Sequence, residues 1–252
     1  MSSLAALAIF VAAVAAGTIN AVVGSGSLIT FPTLLALGYA PVIANVSNNI
    51  GVIPGNITAS FGYRAELTGQ RDRLLRLGVA SFAGALTGAI ALLALPAGVF
   101  KLVVPVLIIA ACVLVILQPK LSAWVAGHNA DRSDRIGPVL IAGVFLTGVY
   151  GGYFGAAQGV LLVGLLGVFL TDNLQRINAG KNVLVTIVNG VAALVFVIFA
   201  HVAWPVVALI AVGSGLGGLI GAKIGRRLSP LALRIVIVII GVVSAVKLIF
   251  FP

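Results

Sequence analysis

Long apolar stretches recur from one end of this chain to the other, at residues 4–23, 74–95, 102–117 and 235–250. Each approaches the ~20 residues that an α-helix needs to cross a bilayer core about 30 Å thick. Only 8% of the 252 residues are charged, against the ~25% found in soluble domains. A soluble fold is excluded, and the short alternating strands that mark a transmembrane β-barrel are missing. The start of the sequence lacks the basic n-region of a signal peptide, so 4–23 is expected to be a retained helix.

The excess of 15 Lys and Arg over 5 Asp and Glu would point to nucleic acid in a soluble protein. Here the positive-inside rule accounts for it, and no nucleic-acid partner is expected. The single cysteine, Cys112, lies in an apolar run. It reads as a small core hydrophobe and excludes a disulfide framework.

The chain repeats itself. Shifting it by 131 residues sets Gly17 on Gly148 and Gly24 on Gly155. The offset then settles at 133, pairing Asn45 with Asn178, Asn49 with Asn182 and Asn56 with Asn189. Further along it pairs Ser81 with Ser214, Gly84 with Gly217 and Gly88 with Gly221. Three aligned asparagines are far from chance in so apolar a sequence. Repeats of this size define the architecture of the fold.

Each half holds five hydrophobic segments: 4–23, 28–39, 43–62, 74–95 and 99–118, then 137–154, 159–171, 179–200, 205–223 and 233–251. An odd number inverts the second half relative to the first, and the loop charges agree. Arg64, Arg71, Arg73 and Arg76 lie in the loop at 63–76, whereas its counterpart at 196–209 has no Lys or Arg. The next connection has only Lys101 in the first half but Lys223, Arg226, Arg227 and Arg234 in the second. This opposite bias is what an inverted repeat requires. The predicted fold is therefore an all-α polytopic membrane protein of two inverted five-segment repeats, with eight to ten membrane helices. Residues 1–118 and 137–252 form the halves, and 119–136 form a cytoplasmic linker. Loops 63–76, 119–136, 171–181 and 223–234 are expected on the cytoplasmic side of the cell (inner or plasma) membrane with 13 of the 15 cations, and both termini outside.

The second segment of each half is too short for an ordinary span; residues 27–39 make about 20 Å of helix. A small-residue break precedes each: Gly24, Ser25, Gly26 and Ser27 in the first half, and 151–159 with Gly155, Gln158 and Gly159 in the second. Broken helices at matching positions point to a transporter's binding site. A helix starting at membrane depth presents up to four unpaired N–H groups and a positive dipole end, which favour an anion. The bland alternative is that these glycines only permit close packing.

Asn45, Asn49 and Asn56 fall on one helical face, and Asn178, Asn182 and Asn189 repeat the spacing. Buried amides avoid lipid and can donate to an anion without the desolvation cost of a buried cation; they can equally bond helix to helix. Pro54 is expected to kink its helix beside Asn56. Lys181 either draws an anion inward or snorkels to the interface, and snorkelling is the simpler reading. The glycine ladder Gly213, Gly217 and Gly221, echoed by Ala80, Gly84 and Gly88, reads as close helix packing. His201, beside Trp204, reads as an interface marker.

All five acids (Glu66, Asp72, Asp131, Asp134 and Asp172) fall in loops or at their edges. The sequence contains no catalytic triad, metal-ligand cluster or phosphate loop, so neither an enzyme nor a cofactor is expected.

The run Gly24-Ser25-Gly26-Ser27-Leu28-Ile29-Thr30-Phe31-Pro32, followed by Ala44-Asn45-Val46-Ser47-Asn48-Asn49, resembles the TauE/SafE family of membrane permeases, the sulfite exporters. Gly148, Gly152, Gly155 and Gly159 look like that family's second copy of the motif. The similarity spans essentially the whole chain. One departure is Gly155-Ala156-Ala157-Gln158-Gly159, where the family has a denser glycine run. The resemblance implies export of small sulfur-containing anions such as sulfite or sulfonates. The residues alone lead to a small anion in a two-fold pseudosymmetric site. A passive anion channel and a non-transporting scaffold or assembly factor stay open, as does a homo-oligomer.

Overall fold

The computed structural model describes residues 1–127, 136–224, 235, 238–243 and 245–246. Ten helices are delimited in it: α1 Ser3–Val22, α2 Ser27–Ala36, α3 Pro41–Gly51, α4 Ile53–Gly62, α5 Arg71–Ala94, α6 Ala97–Gly127, α7 Pro138–Tyr153, α8 Gln158–Phe169, α9 Leu174–Phe199 and α10 Trp204–Ile224. A 3-10 turn, Arg64–Leu67, precedes α5, and no strand occurs among the described residues. Five helices (α1, α5, α6, α9 and α10) are long and apolar enough to cross a membrane. Their outward faces carry exposed apolar side chains, such as Val79 at 70% and Leu102 at 78%. Asparagines, glutamines and a lysine are meanwhile buried inside. Exposed apolar and buried polar side chains are the distribution a lipid solvent selects. The chain is an all-α, multi-pass membrane protein.

The short second segments are helices α2 and α8, of 10 and 12 residues, about 15 and 18 Å long. Two other boundaries differ from the sequence reading. The third segment of the first half is two helices, parted at Val52. Pro54 supplies no N–H to the preceding turn, so the helix restarts there; its counterpart α9 has no proline and runs unbroken for 26 residues. Helix α6 continues to Gly127, past residue 118 and into the stretch read as linker. Leu121–Gly127 contains good helix formers, and Pro119 does not break the run. The linker residues His128, Asn129, Asp131 and Asp134 lie outside the described residues, as do Arg226, Arg227, Arg234 and Lys247.

The packing of one half recurs in the other. Helix α1 lies along α10 and α7 along α5; α4 packs on α10 as α9 packs on α5. The contacts are backbone to backbone at equivalent glycines. A Cβ on Gly217 would overlap the Val14 carbonyl, and one on Gly84 the Phe145 carbonyl. Gly17 faces the Ser214 carbonyl as Gly148 faces that of Ser81. The ladders expected to pack closely do so, because only glycine lets two helix backbones touch.

The end of the bundle where α5 and α9 begin is clasped by polar groups. Asp172 pairs with Arg73 of α5, and its Oδ1 accepts from Arg176 Nε of α9 at 2.7 Å. Buried Gln70 donates to the Glu66 and Arg176 carbonyls at 2.7 and 3.1 Å. Burial pushes the Asp172 carboxyl up, but the hydrogen bonds from Arg176 and Arg73 and their charges outweigh it and hold it below the usual carboxylate range. A depressed folded pKa gives stability that is present above the unfolded pKa and lost as pH falls through the folded one. Asp172→Asn should therefore lower the melting temperature at neutral pH, by about 1–2 kcal/mol of stability. That gap should close as pH falls below about 4. A pH-independent gap in detergent melts would remove the ionic clasp.

Candidate functional site

Helix α1 ends in a glycine turn: Gly24 has φ 85°, and its N–H bonds back to the Ile19 carbonyl at 3.1 Å. Helix α7 ends the same way, with Gly155 at φ 76° and its N–H on the Tyr150 carbonyl at 3.1 Å. Only glycine adopts such a left-handed C′ position without strain. Ala157, where the family has more glycine, also sits at positive φ, 58°. For a residue with a Cβ this costs about 1 kcal/mol. The Tyr150 hydroxyl donates to the Ala156 carbonyl and helps hold that turn. Phe154 packs edge-on against Phe31 of α2, with centroids 5.2 Å apart.

The two breaks meet. Gly159 N–H donates to the Gly24 carbonyl at 3.2 Å. A Cβ on Gly24 would come within 2.6 Å of Gly159 Cα and 3.3 Å of Lys181 Cδ. Lys181 thus runs beside the crossing. It is 0% exposed, and its ammonium donates to the Asn20 carbonyl at 2.9 Å. Among the described residues it has no carboxylate partner. The snorkelling expected of Lys181 is overturned, as is its place in a cytoplasmic loop at 171–181. It lies two turns into α9, where the end of α1 arrives at its level and offers a carbonyl.

Asn178 and Asn182 serve the same helix end, donating to the Ala21 carbonyl at 3.0 and 3.4 Å. In the first half Asn45 donates to the Tyr153 carbonyl, the end of α7, at 3.0 Å. Each half's asparagine caps a broken helix of the other half. Asn49 donates to Asn189 Oδ1 at 3.3 Å, a separate contact between α3 and α9. Asn56 is buried on α4, and Ser27 opens α2 partly exposed.

The free N–H groups expected at the starts of α2 and α8 are largely spent within the chain. Gly26 N–H goes to Asn20 Oδ1 at 2.6 Å, Gly159 to Gly24, and Leu28 and Val160 to the Ser25 and Ala157 carbonyls. What remains unpaired is side-chain polarity. Ser25 Oγ, both Gln158 amide atoms, Asn178 Oδ1, Asn49 Oδ1 and Asn56 Nδ2 are buried and have no hydrogen-bond partner among the described residues. Ser25 directly precedes Gly26 and Gln158 directly precedes Gly159, and each is 1% exposed. Buried polar atoms are almost always satisfied; these unpaired ones fall on residues singled out by the sequence, and Ser81 Oγ of α5 is unpaired as well.

Sequence reading missed Asn20, which holds both Gly26 and Lys181. Its signal was an amide one turn before a glycine break. It also missed the buried pair of Thr30 Oγ1 and Asn48 Oδ1, because Asn48 lies between the repeated asparagine positions. Among the described residues there is no cluster of potential metal ligands.

The profile described as Sulfite exporter TauE/SafE matches residues 9–248. "Probable membrane transporter protein YfcA" of Escherichia coli strain K12 is 28% identical over 96% of this chain and 88% of its own length. "Probable membrane transporter protein ORF9" of a Sinorhizobium species is also 28% identical, over 97% of this chain and 92% of its own. A "Probable membrane transporter protein" of Haemophilus influenzae is 28% identical over 93% and 91%. No solved structure matches. With glycine breaks, apolar helices and family profile all running the length of the chain, it belongs to the sulfite exporter TauE/SafE family and is a membrane transporter.

Proposed function

We propose that the protein carries small sulfur-containing anions, such as sulfite or sulfonates, outward across the cell membrane, at a site between the two glycine breaks. The observation that carries this reading is Lys181, fully buried, bonded to one neutral carbonyl and unpaired with any acid among the described residues. An isolated ammonium at membrane depth is costly, and an anion beside it relieves that cost. Ser25 and Gln158, next in sequence to the crossing glycines, and Asn178, one turn before Lys181, carry further buried polar atoms without partners. The exchangeable packing of the halves supports an inverted repeat, with both termini outside and the site at the pseudo-axis. Gly24, Gly26, Ser27, Gly155 and Gly159 frame the site, and Asn45, Asn49, Asn56, Asn182 and Asn189 line the helices that must move past it.

An inside-negative potential favours anion exit by about 2.3 kcal/mol per charge per 100 mV. Efflux of sulfite from proteoliposomes should saturate with concentration, show counterflow and accelerate under an imposed inside-negative potential. Flux that neither saturates nor shows counterflow would belong to a channel and overturn the carrier reading. Voltage-independent flux would remove the driving force proposed here. Asn49→Leu and Asn182→Leu should lower transport at least tenfold while shifting stability by about 1 kcal/mol or less.

A further inference from the structure

The outer face of α5 is hollow near its start. An open apolar groove of about 290 Å³ is lined there by Leu74, Leu75, Gly78, Val79 and Phe82 of α5 and Ile187 of α9. Gly78 makes the hollow: a Cβ on it would meet only Ile187 Cδ1, at 3.1 Å. Leu75, Val79 and Phe82 are 60%, 70% and 51% exposed. A basic end stands above the groove. Leu75, Gly78 and Phe82 lie within about 40° of Arg71 around the helix, so this arginine of the first turn heads the groove. Arg71 and Arg76 are exposed and pair with no acid among the described residues. Asp72, one turn before Arg76, makes no ion pair with it. Arg64 covers the Phe61 ring at 4.4 Å, and Arg73 and Arg176 hold Asp172. At this end five arginines face three acids, Glu66, Asp72 and Asp172, which leaves positive charge over an apolar trough.

We propose that this groove binds one anionic phospholipid, its phosphate on Arg71 and Arg76 and one acyl chain along Leu75, Gly78 and Phe82 against Ile187. Charge complementarity names the headgroup. Arginine's planar fork suits a phosphate, and basic clusters between membrane helices attract anionic lipids. The trough names the chain. On a convex helix an acyl chain touches one side only, whereas here it touches α5 and α9 together, and each added contact contributes dispersion. The groove runs about 16 Å from Arg71 to Phe82, so one molecule spans the charged head and the apolar trough. A second copy of this chain fits poorly. A two-fold axis through the groove would set Arg71 against its own copy. The site does not rest on the transport reading.

Dioleoyl phosphatidylglycerol and dioleoyl phosphatidylcholine test the site, having the same chains but different headgroup charge. Each is titrated into the purified protein in detergent, and bound lipid is counted by native mass spectrometry. The wild type should bind phosphatidylglycerol about tenfold more tightly. Arg71→Gln and Arg76→Gln, both surface changes, should each weaken that binding about fivefold and leave phosphatidylcholine unchanged. Gly78→Leu fills the trough and should weaken both lipids about fivefold or more. Equal binding of the two lipids by the wild type, or undiminished phosphatidylglycerol binding in Arg71→Gln, would overturn the site. Displacement of the lipid by glycerophosphate at equal concentration would overturn it too, by assigning the arginines to a free phosphate. If Gly78→Leu does not fold, as judged by size exclusion, dioctanoyl phosphatidylglycerol replaces it. That shorter lipid should bind the wild type about tenfold more weakly than the dioleoyl form, and equal binding would remove the chain from the groove.

Discussion

Gly24→Ala is expected to destabilise the protein by about 3 kcal/mol or more, and with it to abolish transport. Two costs add. A Cβ at φ 85° is strained by about 1–2 kcal/mol. The same Cβ would lie 2.6 Å from Gly159 Cα, a backbone atom that cannot swing away, and such overpacking costs about 1–3 kcal/mol. Two other glycines separate these terms. Gly159→Ala meets Gly24 Cα at 2.5 Å but has no positive φ, so it carries only the overlap. Gly38→Ala has φ 87° but open space around it, so it carries only the strain. Thermal melts in detergent should rank wild type above Gly38→Ala, with Gly24→Ala lowest. A Gly24→Ala protein as stable as Gly38→Ala would mean that the two breaks do not touch.

Removing either cross-half cap comes next in size. Asn178→Leu deletes the 3.0 Å donor to the Ala21 carbonyl and leaves Asn182 at 3.4 Å as its remaining side-chain partner. Asn45→Leu deletes the 3.0 Å donor to the Tyr153 carbonyl. A carbonyl left unsatisfied away from water costs about 1–3 kcal/mol. Hydrogen bonds between membrane helices average less, so about 1–2 kcal/mol is expected for each. The two variants occupy equivalent places in the repeat and should destabilise alike, and the double variant should show nearly the sum. Hydrogen exchange should loosen the end of α1 in Asn178→Leu and the end of α7 in Asn45→Leu. Loosening of the wrong helix in either variant would break the pairing.

Much of the architecture was legible because it rests on positions where chemistry leaves few choices. Gly17, Gly84, Gly148 and Gly217 stand where helix backbones touch, and a repeat of such positions shows through any drift in the surrounding Leu, Val and Ile. Gly24 and Gly155 were legible as breaks because the left-handed turn they make admits little else. The division at Val52 was half legible: Pro54 announced a kink, while its sharpness depended on how α4 seats against Ser214 at Gly55. The extension of α6 was not legible, since Gln118-Pro119-Lys120 reads equally as a helix end or as a helix leaving the membrane.

For the site, the residue types were evident and their bonds were not. Six asparagines in apolar helices had to face protein, but whether they met a ligand or a carbonyl depended on chains brought together by folding. Asn178 lies 157 residues from Ala21, and Asn45 lies 108 from Tyr153. Helical periodicity reports which face a side chain occupies, and says nothing about what a distant segment places opposite. Lys181 shows the difference most clearly. A lysine two turns into a membrane helix has the same local pattern whether it reaches back to water or inward. Composition and spacing by themselves determined a membrane-spanning, duplicated, glycine-broken helical chain with amides in its interior. The tertiary structure alone decided that the broken end of α1 stops at the depth of Lys181. A buried ammonium turns toward the nearest acceptor it can reach, and that acceptor is the carbonyl of Asn20.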